Sequence, residues 1–205
     1  MVLSLLKTAS QSFKICLVEH VLKYLKKQKS KRKKAVLFIG PSVMEVDRFV
    51  EFIEDDLKAK RGDYILQGIN LSDFMQKDLE AVLDSYLIGP NYDAAEEYTF
   101  AVALSKIRKQ RYDLVIIRRP PLVSKFQQRV IARMIEHSLT YLRKDGLLLV
   151  TTLRGGSEVK YLREIIDELK GFGFNELECG GLNLPKGVYQ EDTYFTLLEK
   201  PEEDL

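Results

Sequence analysis

Cysteine and histidine are scarce in this chain of 205 residues, with two of each. Cys16 and Cys179 stand far apart, and neither belongs to a metal-type spacing. No disulfide framework is visible and a zinc site lacks its ligands, so a reducing, cytoplasmic setting without a bound metal is expected. No apolar run approaches the ~18–20 residues that a membrane span needs. Lys7 and Lys14 interrupt the stretch where the apolar core of a signal peptide would lie. No membrane contact is therefore expected. The chain contains neither G-x-G-x-x-G nor a P-loop lysine, which disfavours enzymes of dinucleotides or nucleoside triphosphates. No nucleophile–base pair and no separated pair of carboxylates can be justified, so no catalytic residue is assigned.

What is present suits one soluble α/β domain. Hydrophobic residues make up 45% and charged residues 30% of a chain long enough for a full core. The net charge of +2 is unevenly spread. Lys23 to Lys34, KYLKKQKSKRKK, carries eight basic residues and no acid. One reading is a solvated, flexible lead into the first strand. The other is a phosphate-binding patch for nucleic acid or an anionic surface. Tyr24 is its only aromatic residue, which does not favour stacking of single strands. His20 and His137 read as surface residues of helices, and Cys179 as core.

The chain is organised around Lys34 to Leu57. Ala35 to Ile39 is apolar without alternation, as in a strand covered on both faces. Gly40-Pro41-Ser42 turns, and Ser42 with Glu45 forms a capping-box pattern at a helix start. Val46, Phe49, Val50, Ile53 and Leu57 then share one helix face. Before this stretch, Met1 to about Gln28 reads as a helix whose stripe, Leu6, Phe13, Leu17, Val21 and Leu25, docks on the core or on a partner subunit, so that a homodimer is one expectation.

After it, strands are expected at Tyr64 to Asn70, Tyr86 to Ile88, Tyr112 to Ile117 and Leu147 to Leu153. Helices alternate with them: one capped by Ser72 or Asp73, one over 94–109, one marked by Val123 to Leu142, and one from Ser157 to Lys170. Gly89-Pro90-Asn91 stops the third strand. Phe174 to Cys179 and Thr193 to Leu198 are strands with no helix between them, so they pair antiparallel or lie apart. The expected division is 1–33 as helix and basic linker, 34–200 as the α/β domain, and 201–205 as an acidic tail.

Four segments in this order resemble the class I S-adenosylmethionine-dependent methyltransferases: Val36 to Gly40 (VLFIG), Gly68 to Lys77 (GINLSDFMQK), Tyr112 to Pro121 (YDLVIIRRPP) and Leu142 to Leu153 (LRKDGLLLVTTL). The resemblance implies a three-layer, mostly parallel sheet of seven strands with the last strand antiparallel. It implies S-adenosylmethionine as cofactor, with Gly40, Ser42, Asn70 and Asn91 lining its cleft and Arg118 and Arg119 facing the substrate; pairing of the two arginines with nearby acids is the alternative. Glu45 in the first helical turn disfavours a pyrophosphate there, whereas a zwitterionic sulfonium is less sensitive to it. The chain departs from the family pattern at Phe38, where an acid is usual, at Pro41, which lacks a backbone donor, and at Asn70, which replaces a ribose-binding acid. The prolines after the fourth strand are kept, but the polar residue and the aromatic around them are lost. A divergent methyltransferase is one expectation. A methyltransferase-like binding or scaffold domain without activity, touching nucleic acid through the basic run, is the other.

Overall fold

A computed structural model describes residues 11–28, 32–70, 76–88, 111–118, 120, 125–152, 157–182 and 194–200. Seven strands form one sheet: β1 Lys34–Ile39, β2 Tyr64–Asn70, β3 Ser85–Ile88, β4 Tyr112–Arg118, β5 Leu142–Thr152, β6 Asn175–Gly181 and β7 Tyr194–Glu199. Their order across the sheet is β3-β2-β1-β4-β5-β7-β6. β7 runs antiparallel to both neighbours, and every other pairing is parallel. This is the expected sheet. The helices are α1 over 11–27, α2 Val43–Glu51, α3 Gln76–Val82, α4 Lys125–Tyr141 and α5 Ser157–Leu169. Single π turns occupy Leu17–Val21 within α1 and Phe52–Asp56 after α2.

The unbroken apolar run of β1 is explained by two cores, one on each face of the sheet. Ala35, Leu37 and Ile39 point to the side covered by α4 and α5, where Ile131, Ile135, Ile165 and Ile166 are buried. Val36 and Phe38 point to the side covered by α1 and α2, against Leu17, Val21, Phe49 and Phe52. Successive strand residues face opposite ways, so both sets must be apolar. Burying a side chain such as Phe49 contributes about 1.5–3 kcal/mol.

The stripe of α1 docks on its own core: Phe13, Leu17 and Val21 are 0% exposed. That face is therefore not available to a second copy, and the N-terminal helix shares one core with β1. Four other expectations change. Leu142 opens β5 instead of closing α4. Cys179 is exposed: a bulge between Glu176 and Glu178 puts Leu177 and Glu178 on the α1 side and Cys179 on the other face of the edge strand β6. His20 is half-buried, stacked on Phe195 at 4.0 Å between ring centroids, with Nδ1 2.8 Å from Glu178. His137 is half-buried on α4. The helix expected over 94–109, the cap at Ser72 or Asp73, Gly89 to Asn91 and the acidic tail lie outside the described residues. Among the described residues, no helix is long and apolar enough to cross a membrane. None of them form a group of three or more His, Cys, Asp or Glu that could hold a metal.

Candidate functional site

In an open α/β sheet, ligands sit beyond the carboxyl ends of the strands where the strand order reverses. Here that point lies between β1 and β4. Ile39 is in register with Ile69 on one side and with Ile117 on the other. The next residues, Asn70, Gly40 and Arg118, therefore stand in one row across three strands. Neighbouring strands lie about 4.8 Å apart, so the row is about 10 Å wide.

Gly40 forms the centre of this row. Its φ of +69° belongs to the left-handed region, and a Cβ built on it would meet nothing within 4 Å. Glycine adopts this conformation without strain, and the space beside it is open. Its N–H donates to the carbonyl of Ile69 at 2.8 Å, which ties the turn to β2. Pro41 is buried beside it and Ser42 takes the N-cap of α2. The capping box read from the sequence is present, and the Ser42 N–H donates to Glu45 Oε2 at 3.0 Å.

The other oxygen of Glu45 accepts from the guanidinium of Arg118. Both side chains are buried, at 6% and 4% exposure. The guanidinium also lies over the ring of Phe13, 5.6 Å from its centroid. One carboxylate thus joins the β1 turn, the N-terminus of α2 and the end of β4, and α1 closes over the pair. Arg118 stands at the expected edge of the sheet, but its guanidinium is engaged inside the protein instead of facing outward. The sequence marks Glu45 as a cap and leaves Arg118 either to a substrate or to a nearby acid; the structure pairs it with an acid. Their pairing carries no local signal, because the two residues are 73 positions apart.

Asn70 is half-buried at the end of β2. Thr152, at the end of β5, is buried and donates to Glu158 Oε2 at 3.1 Å in the first turn of α5. Gly40, Ser42, Asn70 and Arg118 are brought together on one edge; Asn91 and Arg119 lie outside the described residues. The opposite edge of the sheet holds a second charged centre that the sequence did not suggest. Asp113, near the start of β4, accepts the N–H of Ala35 at 2.8 Å and Arg32 at 2.9 Å.

No protein-family profile and no curated protein matches the sequence. Solved structures do match the fold. The N-methyltransferase NodS from Bradyrhizobium japonicum WM9 superposes with a TM-score of 0.55 at 13% identity, over 95% of this chain and 94% of that one. A SAM-dependent methyltransferase from Methanosarcina mazei gives 0.53 at 11% identity, over 85% of this chain and 95% of that one. TrmN from Thermus thermophilus gives 0.56 at 14% identity, over 88% of this chain but 47% of its own length. With the strand order and the antiparallel β7, these likenesses establish that the chain has the fold of the class I S-adenosylmethionine-dependent methyltransferases.

Proposed function

We propose that this chain binds S-adenosylmethionine beyond the ends of β1, β2 and β4 and is a methyltransferase whose substrate is unidentified. Gly40 carries this reading. It joins a left-handed backbone to open space at the switch point of the sheet, where a ligand needs close access to the main chain. The residues present suit that cofactor. Ser42 and Asn70 flank the open position, and the Asn70 amide can both donate and accept. Glu45 is neutralised by Arg118, so the turn offers no net charge to a zwitterionic ligand. When bound, the cofactor supplies an electrophilic methyl group on a sulfonium. The protein's part is to orient the reactants and hold water away, which can account for much of the rate. Asn91 is assigned to the same cleft and Arg119 to the substrate. Arg118 would reach a substrate only by leaving Glu45. NodS and the Methanosarcina protein, an N-methyltransferase and a SAM-dependent methyltransferase by name, support the reading at the level of fold.

A scaffold or binding domain without activity is the second reading. Phe38 is packed in the core, 1% exposed, where the family pattern has an acid. Pro41 withholds a backbone donor, and Arg118 is held inside. Titration calorimetry with S-adenosylmethionine and S-adenosylhomocysteine separates the two. Micromolar binding that weakens about tenfold in Asn70→Ala, the loss of about one good hydrogen bond, supports the enzyme. Absence of both heat and thermal shift at millimolar ligand would sink it.

A further inference from the structure

At the opposite edge of the sheet, where β1 begins, a recess of about 470 Å³ opens between the end of α1, the lead into β1 and the start of β2. Among the described residues, four cations line it, Lys26, Arg32, Lys33 and Lys34, against a single carboxylate, Asp63. Asp63 is already engaged, accepting the Lys60 N–H at 3.0 Å. Two of the cations are fixed by the protein. Arg32 is held by Asp113 at 2.9 Å, and Lys34 donates to the Leu25 carbonyl at 2.7 Å. Burial pushes the Lys34 ammonium below its ordinary pKa, against the opposing pull of Asp113. An anion in the recess would relieve that strain. Lys26 and Lys33 are exposed, and among the described residues neither has an ion-pair partner. Next along α1, Lys27 lies over the Tyr24 ring, 5.7 Å from its centroid, with Asp145 and Glu199 close by.

We propose that this recess and the adjoining end of α1 are a docking site for the phosphate backbone of a nucleic acid, separate from the edge assigned to the cofactor. A single small phosphate would need one cluster of donors. Here four cations line the recess and Lys27 stands outside it on α1, more positive charge than one small phosphate engages and in keeping with a linear polyanion. A membrane surface fits less well. The cations line a concavity, and Leu25, the deepest apolar residue there, is 2% exposed and cannot enter a bilayer. Tyr64 lines the recess but is 4% exposed, so no ring is offered for base stacking. Binding should therefore be electrostatic, tolerant of sequence and steep in salt. Lys34 and Gly40 bound β1, six residues at about 3.3 Å each, so the two sites are about 20 Å apart. A docked strand holds the protein without placing its phosphates at the cofactor edge.

The test is fluorescence anisotropy with labelled single-stranded RNA of mixed sequence, about 20 nucleotides long, between about 50 and 200 mM salt. The Lys26→Glu/Lys33→Glu variant is compared with a control, Lys77→Glu/Lys160→Glu, which makes the same charge change at exposed positions of α3 and α5. Wild type should bind at low salt. The recess variant should lose at least about tenfold, and the milder Lys26→Gln/Lys33→Gln variant should lower the log–log salt slope by about 1.4, two phosphate contacts on a single strand. The control should stay within about twofold of wild type, with equal melting temperatures checking the fold. Three results would overturn the proposal: no binding by wild type at low salt, equal losses in recess and control variants, or phosphatidylserine vesicles binding more tightly than RNA. Calorimetry with S-adenosylmethionine reads the other edge of the sheet, so either result leaves the methyltransferase reading to be judged on its own.

Discussion

Glu45 spans two structural joints at once: Oε2 accepts the Ser42 N–H and Oε1 accepts the guanidinium of Arg118 from the neighbouring strand. The pair sits under Phe13, so the turn after β1, the end of β4 and the N-terminal helix share one buried charge centre. A helix cap that would otherwise be local is thereby coupled to the sheet. Arg118→Met should therefore cost far more than a surface substitution. It takes the guanidinium away from a buried carboxyl group, and breaking a buried pair this way costs about 3–5 kcal/mol. In a chain of this size that is a fall of roughly 6–20 °C in melting temperature. The double variant Glu45→Met/Arg118→Met removes both charges and should lose less than the sum of the single losses. Urea unfolding of the four proteins gives the cycle directly, and strict additivity would show that the pair is not coupled.

Glu178 should make the acid limb of stability steeper. Its burial opposes ionisation, but bonds from Lys23, His20 and Tyr24 outweigh this and hold the carboxyl below its ordinary range. A depressed carboxylate contributes stability that is fully present above its unfolded pKa and is lost as pH falls through the folded one. The urea midpoint of wild type should thus fall on acidification below about pH 4.5, the ordinary value for this group. Glu178→Gln should start lower at neutral pH and fall less. Equal acid limbs in the two proteins would contradict the assignment.

Two buried tyrosines shape the alkaline limb. Burial pushes the Tyr64 hydroxyl up to about 12, and Tyr112 higher still. Tyr112 also donates to Gln67 Oε1 at 2.7 Å. A raised folded pKa gives stability that is complete below the unfolded value near 10 and is lost as pH climbs through the folded one. Ultraviolet titration should show at least two of the ten tyrosines ionising only at the alkaline extreme or on unfolding. Tyr64→Phe should remove one of them.

Much of this architecture was legible because it rests on local rules. Tyr64 to Asn70 is legible to the residue, since Gly62-Asp63 before it and Asn70 at its end, followed by Ser72-Asp73, punctuate the run. The capping box at Ser42 and Glu45 needs only a spacing of three. The antiparallel pairing of β6 and β7 follows from the missing crossover helix between them. Strand order came only through the family resemblance, because no periodicity encodes which strands are neighbours. Long-range charge pairs were the main loss. For Arg118 the sequence leaves substrate contact and pairing with an acid both open, and nothing near it in sequence marks Glu45 as its partner. Cys179 was read as core because a bulge at Leu177, invisible in composition, changes which residues of β6 face inward. The basic run was read as one unit, whereas Lys23, Arg32 and Lys34 serve Glu178, Asp113 and the Leu25 carbonyl.

Gly40 offers the sharpest separation of folding from binding. Its φ of +69° strains any residue with a Cβ, yet a Cβ there meets no atom of the protein. Gly40→Ala should therefore cost only the backbone term, about 1–2 kcal/mol, and Gly40→Asn less, because Asn tolerates the left-handed region. If the open space above the turn admits the cofactor, both variants should lose affinity for S-adenosylmethionine, and Asn should lose more because its side chain is larger. Stability and affinity would then rank the two variants in opposite orders. If the space is only a solvated turn, affinity should follow stability or stay unchanged. Thermal melts and calorimetry on the same three proteins suffice. The crossed ranking is hard to produce by partial unfolding, since the better folded variant would be the weaker binder.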